Sequence, residues 1–296
     1  FSGREGRWST SRKLRQRLFD ELRTNVALKV TETDSPDSFR VSGRGELHLA
    51  ILIETLRREG YEFQVSRPDV ILKEDDQGKT LEPFEDVYIE TSPETVGVVI
   101  EMLGSRYGVM QNMVNTNENN VRLEFLVPTR GLLGFRSNFL SATRGAGVMH
   151  TLFHGYLPQA GEIGERTSGS LVSCETGLTT TFGLKNAEER GTLFCEPGTP
   201  VYAGMVVGKN QRPGDLEMNV CKKKELTNMR AANADNEARL TTPRHMSLEE
   251  AIEYLGKDEL LEVTPLNYRI RKQLLSANER GRLSKAARKA AVESEE

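Results

Sequence analysis

Asp86-Val87-Tyr88-Ile89-Glu90-Thr91-Ser92-Pro93-Glu94-Thr95-Val96-Gly97-Val98-Val99-Ile100-Glu101-Met102-Leu103 carries two hydrophobic periods in direct succession. Val87 and Ile89 alternate with Asp86, Tyr88 and Glu90, the period of two that marks a half-buried strand. Ser92 then caps a helix with Pro93 at its first position, and Val96, Val99, Ile100 and Leu103 fall on one face. Downstream, Val109 to Val114 reads as a strand and 115–120 as a loop. Val121, Leu123, Phe125 and Val127 then point one way, while Arg122 and Glu124 point the other. A helix from about Thr129 to Leu140 would bury Leu132, Leu133, Phe135, Phe139 and Leu140, and Val148 to Phe153 closes the unit as a strand. The order β-α-β-β-α-β is the split βαβ, ferredoxin-like layout. It predicts an α/β sandwich over residues 80–157.

Upstream, residues 9–79 approximate the same layout with an extra leading helix. Thr10 or Ser11 can cap that helix, and Leu14, Leu18 and Leu22 recur every four residues. Val26, Leu28 and Val30 alternate as a strand. Ser35-Pro36-Asp37-Ser38 turns the chain into a second strand, Phe39 to Gly43. Glu46 to Arg58 is amphipathic, with Leu49, Leu52, Ile53 and Leu56 at i, i+3, i+4 and i+7. Gly60 ends it, and Tyr61, Phe63 and Val65 begin another strand. Residues 1–8, FSGREGRW, read as a glycine-rich linker from upstream domains.

From about Pro158 the texture changes. Glycines punctuate short runs such as Leu171–Ser173, Thr179–Leu184, Thr192–Cys195, Val201–Val207 and Leu216–Val220. Turn signals at this density argue for a mostly β domain over residues 158–296, a barrel being one form it could take. Ser247-x-x-Glu250 is a capping box for a helix over 248–255, and Ser276-x-x-Glu279 leads a basic, alanine-rich helical tail. The fold class is therefore α+β: two tandem sandwiches followed by a mostly β domain.

The chain has 296 residues, 28% of them charged and 37% hydrophobic, with 40 basic against 43 acidic side chains and a net charge of −3. Its mean hydropathy is −0.50. No run approaches the ~20 apolar residues of a membrane span, so no membrane partner is expected. Three widely spaced cysteines without a CxxC pair argue against a disulfide framework or a thiolate zinc site. Gly78-Lys79-Thr80 ends like a phosphate-binding loop, but Lys73 stands where its first glycine belongs. Gly145-Ala146-Gly147 precedes a strand rather than following one, which is the wrong order for a dinucleotide fingerprint. His150 and His154 have HxxxH spacing, but Thr151 replaces the glutamate a zincin needs. No catalytic centre, metal site or cofactor is expected within these residues.

Two basic clusters remain. Residues 222–230 hold Lys222, Lys223, Lys224 and Arg230 against Glu225, a net +3, with Asn228 able to reach a base edge or ribose. From Arg269 to Val292 there are eight cations and one acid, a net +7 in a chain of −3 overall. Arg271, Lys272, Arg280 and Arg282 are the candidates there. With Tyr268 as the single aromatic, phosphate contact is expected rather than base stacking.

Ser42-Gly43-Arg44-Gly45-Glu46-Leu47-His48-Leu49, Arg57-Arg58-Glu59-Gly60-Tyr61-Glu62 and Val65-Ser66-Arg67-Pro68 resemble the third domain of the elongation factor G class of translational GTPases. Gly131-Leu132-Leu133-Gly134-Phe135-Arg136-Ser137 and Gly145-Ala146-Gly147 resemble its fifth domain. Here the two follow directly, without the long fourth domain, which leaves the LepA-like and TypA/BipA-like branches. Glu188-Glu189-Arg190-Gly191-Thr192-Leu193-Phe194, Val201-Tyr202-Ala203-Gly204-Met205-Val206-Val207-Gly208 and Lys224-Glu225-Leu226-Thr227-Asn228-Met229-Arg230 are similar to the TypA/BipA carboxyl-terminal domain. Glu225 stands where the family's KKLTN form has its second lysine, so the phosphate contact expected there is not implied for this chain.

The resemblance implies a ribosome-binding GTPase of the bacterial cytoplasm, acting in stress, cold and virulence adaptation and in ribosome assembly; a monomer is the default expectation, since nothing in the sequence marks an oligomer. GTP and Mg2+ would belong to a domain upstream of Phe1. The third and fifth domains would occupy the ribosomal factor site, against ribosomal RNA and proteins, and the loop 222–230 would reach toward the peptidyl transferase centre and A-site tRNA. Two other readings stand beside it: a small-molecule-sensing module built on tandem ferredoxin-like domains, and an enzyme whose site no motif marks.

Overall fold

The computed structural model describes residues 3–117, 119–161, 163, 166, 168–223, 240–283 and 286. By its contacts the chain divides into two units, one of residues 68–165 and one that combines 1–67 with 166–296.

The unit of residues 68–165 is built on one antiparallel sheet. Its strands are β4 (Lys73–Glu74), β5 (Thr80–Thr91), β6 (Val109–Asn117), β7 (Asn120–Pro128) and β8 (Val148–Pro158). β5 lies between β7 and β8, and β6 flanks β7, which is the spatial order of a ferredoxin-like sandwich. α3 (Val96–Gly104) and α5 (Phe135–Ala142) supply the other layer. The inward alternation is that of the sequence: Val87 and Ile89 meet Val121, Leu123, Phe125 and Val127, with Val99, Leu103, Phe135 and Phe139 closing the core.

The helix expected over 129–140 is broken. α4 (Thr129–Leu132) is one turn, and Gly134 then takes φ 67°, a left-handed conformation that glycine adopts freely. Arg106 holds the break, donating to the carbonyls of Gly131 at 2.8 Å and Leu133 at 3.1 Å while lying over the Phe135 ring. Gly78-Lys79-Thr80 lies in the β4–β5 hairpin, where Asp75 accepts the N–H groups of Gln77 and Lys79.

The second unit joins the two ends of the chain. α1 (Ser11–Glu21), the hairpin β1 (Lys29–Glu32) with β2 (Phe39–Ser42), α2 (Glu46–Arg58) and β3 (Phe63–Ser66) come from the first segment. β1 starts three residues later than Val26, which is 95% exposed. β3 does not pair with β1 or β2. It pairs with β15 (Glu259–Val263), Val65 opposite Leu261 and Phe63 opposite Val263, and β15 pairs in turn with β16 (Tyr268–Lys272). α2 serves two cores. Leu52 and Leu56 pack with Leu18, Leu28 and Tyr61, while Ala50 and Ile53 pack with Leu261, Ile270 and α7 (Leu248–Tyr254).

The rest of this unit is the open sheet β11-β13-β9-β14, formed by β9 (Ser170–Ser173), β11 (Gly191–Leu193), β13 (Val206–Asn210) and β14 (Leu216–Met218). A two-stranded pair joins β10 (Gly177–Leu178) to β12 (Pro200–Val201). No barrel closes among the described residues. Residues 179–184, expected as an extended run, lead instead into α6 (Thr181–Glu188), whose Leu184 and Ala187 are buried against Val207 and Val220. The capping box at Ser247 and Glu250 forms in full.

Backbones approach closely in this sheet. A Cβ built on Gly169 would lie 1.7 Å from the Gly214 carbonyl oxygen, and one on Gly191 would lie 1.8 Å from that of Lys209. Gly169→Ala must therefore push β9 from the loop before β14. Its expected cost is about 3 kcal/mol of unfolding free energy, read from urea denaturation.

Candidate nucleic-acid interface

Thr180 organises the start of the basic loop. Its side chain accepts the Gly183 N–H at 3.0 Å, capping α6, and donates to the Lys222 carbonyl. Its own N–H donates to the Val220 carbonyl at 2.9 Å. A Cβ at Gly183 would meet that same carbonyl oxygen at 2.3 Å, so only glycine allows the approach. Lys222 and Lys223 leave this anchor exposed, and neither has an ion-pair partner among the described residues. Lys224, Asn228 and Arg230 lie outside the described residues.

On the return, the other end of α6 takes over. Glu188 accepts the Thr241 N–H at 2.6 Å and its hydroxyl at 2.5 Å, and also pairs with Lys185 at 2.7 Å. Lys185, with Thr241, lowers the Glu188 pKa to about 2. The residues on both sides of 224–239 are thus tied to one eight-residue helix.

The tail behaves differently: of its five cations among the described residues, four are paired within the unit. Residues 268–272, the first part of the basic stretch, form strand β16. Lys272, expected at a phosphate, is 1% exposed. Its ammonium lies 2.5 Å from Asp215, 2.9 Å from Asp258 and 3.0 Å from Glu259. Burial opposes the charged form, but the three carboxylates outweigh it and raise the lysine pKa. Glu259, also fully buried, accepts from Arg166, from the Ser170 hydroxyl at 2.6 Å and from the Gly256 N–H at 2.8 Å. Burial would raise its pKa; Lys272 and Arg166 reverse the sign and lower it. Lys272 is therefore a structural cation.

Arg271 is half-buried, 3.8 Å from Glu262, and donates to the carbonyls of Lys272 and Gln273 at 3.0 Å. Arg280 pairs with Glu217 and donates to the Leu275 carbonyl at 2.8 Å. Of the four tail candidates, Arg282 alone is exposed and without an ion pair among the described residues. Tyr268 is drawn inward as well, its hydroxyl 2.8 Å from Glu54, which also holds Arg57 and Arg58 at 2.7 Å. These pairings leave no trace in a local charge count, because the partners of the tail lie 9 to more than 200 residues away along the chain. The capping box at 247–250 was legible because it is local.

Known proteins match this arrangement segment by segment. Residues 79–167 match the family model for the elongation factor G C-terminus, and residues 168–277 match the one for the TypA/BipA C-terminal domain. The chain belongs to the TypA/BipA family. A protein of Bacillus subtilis (strain 168) named large ribosomal subunit assembly factor BipA is 50% identical over 293 residues, covering 99% of this chain and 48% of that protein. The Synechocystis protein of the same name is 50% identical over 272 residues, covering 92% of this chain and 45% of its own length. That of Escherichia coli (strain K12) is 45% identical over 287 residues, covering 97% and 47%. The chain spans about half the length of the curated relatives it matches. Among the described residues, no helix is long and apolar enough to cross a membrane.

The pairings give two expectations. Lys272→Ala removes the buried cation that Asp215, Asp258 and Glu259 share and is expected to cost about 4 kcal/mol, whereas Arg282→Ala changes stability by less than about 0.5 kcal/mol, both read from denaturant midpoints. Glu54 has its pKa lowered from 4.5 to about 2, chiefly by the hydrogen bond from Arg57. A lowered carboxylate pKa contributes stability that is fully present above the unfolded value and lost as pH falls through the folded one. Between pH 4.5 and 2, wild type is therefore expected to lose more stability than Glu54→Gln, measured as the pH dependence of the urea midpoint.

Proposed function

We propose that this chain is the ribosome-engaging half of a TypA/BipA-type translational GTPase, and that the loop 222–230 binds RNA of the large ribosomal subunit. One observation carries the reading. Lys222 and Lys223 are two exposed cations free of carboxylates among the described residues, held beside a helix whose two ends bind the chain before and after the loop. Fixing both flanks lessens the ordering entropy to be lost on binding, so more of the phosphate attraction appears as affinity. Lys222, Lys223 and Lys224 would take phosphates and release counterions. Asn228 and Arg230 would add a base-edge or ribose contact and a further phosphate.

In this reading Arg282 is the tail's contribution to RNA contact, while Arg271, Lys272 and Arg280 position the domain. GTP and Mg2+ belong to a domain upstream in the intact protein, and hydrolysis is its activity. The partners are ribosomal RNA, A-site tRNA and the ribosomal proteins of the factor site, met by a cytoplasmic monomer. The name of the relatives, large ribosomal subunit assembly factor, supports the choice of the large subunit.

Full-length protein carrying Lys222→Ala, Lys223→Ala and Lys224→Ala is expected to pellet less with large subunits. The slope of log affinity against log salt should fall by roughly 2.4, three lost phosphate contacts at 0.7–0.9 each. Pelleting equal to wild type at every salt concentration would remove the loop from the interface.

A further inference from the structure

The chain's single tryptophan stands in a second basic surface, remote in sequence from the loop. Trp8 bridges to Tyr61 beside α1, and its main chain is fixed at both ends: its N–H donates to the Gly60 carbonyl at 3.1 Å, and its carbonyl accepts the Glu62 N–H at 2.8 Å. Arg7 lies over the indole ring at 4.8 Å and Lys13 at 5.0 Å. Cation–π contact of this kind orients a charge without neutralising it. Arg7, Lys13 and the neighbouring Arg12 are exposed, and none has an ion pair among the described residues.

The acids of this region are turned elsewhere. Glu62 spends its carboxylate on the backbone N–H groups of Gly3, Glu5 and Gly6. Glu5 spends its own on Arg269, Thr264 and Asn267. Charge is thus sorted by direction: carboxylates clamp the arm 3–8 to the unit, and cations are left facing water. A merely solvated face has no need of such sorting.

We propose that Arg7, Trp8, Arg12 and Lys13 form a second RNA-docking surface, which takes the phosphate backbone of a helical RNA segment. The proposal rests on the RNA-binding reading above and adds to it a contact independent of the loop 222–230. Phosphates rather than bases are the ligand, because the indole is only partly exposed and carries cations over its ring, whereas the guanidinium and ammonium groups are outermost. Two phosphate rows across a groove suit three cations spread over an arm and a helix turn better than a single stacked strand does.

Trp8 reports on the surface directly, since no other tryptophan emits. A fluorescein-labelled 20-base-pair RNA duplex is titrated into the 296-residue chain, with anisotropy and Trp8 fluorescence followed at several salt concentrations. Binding that shifts Trp8 emission is expected in wild type and in Lys222→Ala/Lys223→Ala, which separates this surface from the loop. Arg7→Gln/Lys13→Gln is expected to lose the Trp8 response and to lower the salt slope by about 1.6, two contacts at 0.7–0.9 each. Arg7→Lys/Lys13→Arg should retain both, and Arg12→Gln, which removes a charge without touching the indole, should lower the slope by about 0.8. Duplex binding that leaves Trp8 emission unmoved, an unchanged slope in Arg12→Gln, or displacement of the duplex by poly-aspartate of equal charge would overturn the proposal.

Discussion

The pairing of β3 with β15 is the constraint on which one unit of this chain depends. It sets Val65 opposite Leu261 and Phe63 opposite Val263, almost two hundred residues apart in sequence. A four-residue strand with two apolar side chains cannot stand alone. Its edge is satisfied only when the polypeptide has run through residues 68–165 and returned. The first segment is therefore not a free sandwich but one side of a joint core, and α2 proves it by burying Leu52 and Leu56 on one side and Ala50 and Ile53 on the other. Contacts of such sequence separation carry a large loop-closure entropy, so this unit is expected to form after the contiguous one.

From that pairing follows the fate of the basic tail. Once β15 is anchored by β3, β16 must lie beside it, and Lys272 at the end of β16 is carried into the interior among Asp215, Asp258 and Glu259. A lone buried ammonium would cost several kcal/mol, and so would a lone buried carboxylate. Each is tolerable because the other is there. The cluster joins β9, through Ser170, to the chain at Asp215, Asp258 and β15, so ionic geometry enforces one arrangement of elements that hydrophobic contact alone specifies less sharply.

What could be read from the residues, and what could not, divides by range. The ferredoxin-like sandwich built on β5 to β8 was legible because every signal is local: Val87 and Ile89 alternate, Val96, Val99 and Leu103 repeat at helical spacing, and each of these strands finds its neighbour within the same seventy-odd residues. The helix break at Gly134 escaped because Leu132, Leu133, Phe135 and Phe139 keep a helical hydrophobic pattern across it; the decisive support, Arg106, comes from another loop. Thr179 to Phe182 is rich in β-formers and reads as an extended run, but burial of Leu184 and Ala187 against Val220 outweighs that propensity and gives α6. The pairing of β3 with β15 leaves no local trace at all.

Charge obeys the same division, and this decides where an RNA surface can be. A net +7 over 24 residues is a property of a string, whereas attraction for phosphate is a property of the cations that remain uncompensated in three dimensions. In the tail, the compensation comes from Glu5, Asp215, Glu217, Asp258, Glu259 and Glu262, none of which the local sum includes in the basic stretch. The arm before α1 shows the reverse case. Its string is less conspicuous, but the carboxylates of Glu5 and Glu62 are committed to backbone amides and to Arg269, so Arg7 keeps its field. The same Glu5–Arg269 pair that neutralises one basic segment is what leaves the other electropositive. Positive surface in this protein is therefore set by where the acids are tied down, and the number of lysines and arginines in a stretch is a poor guide to it.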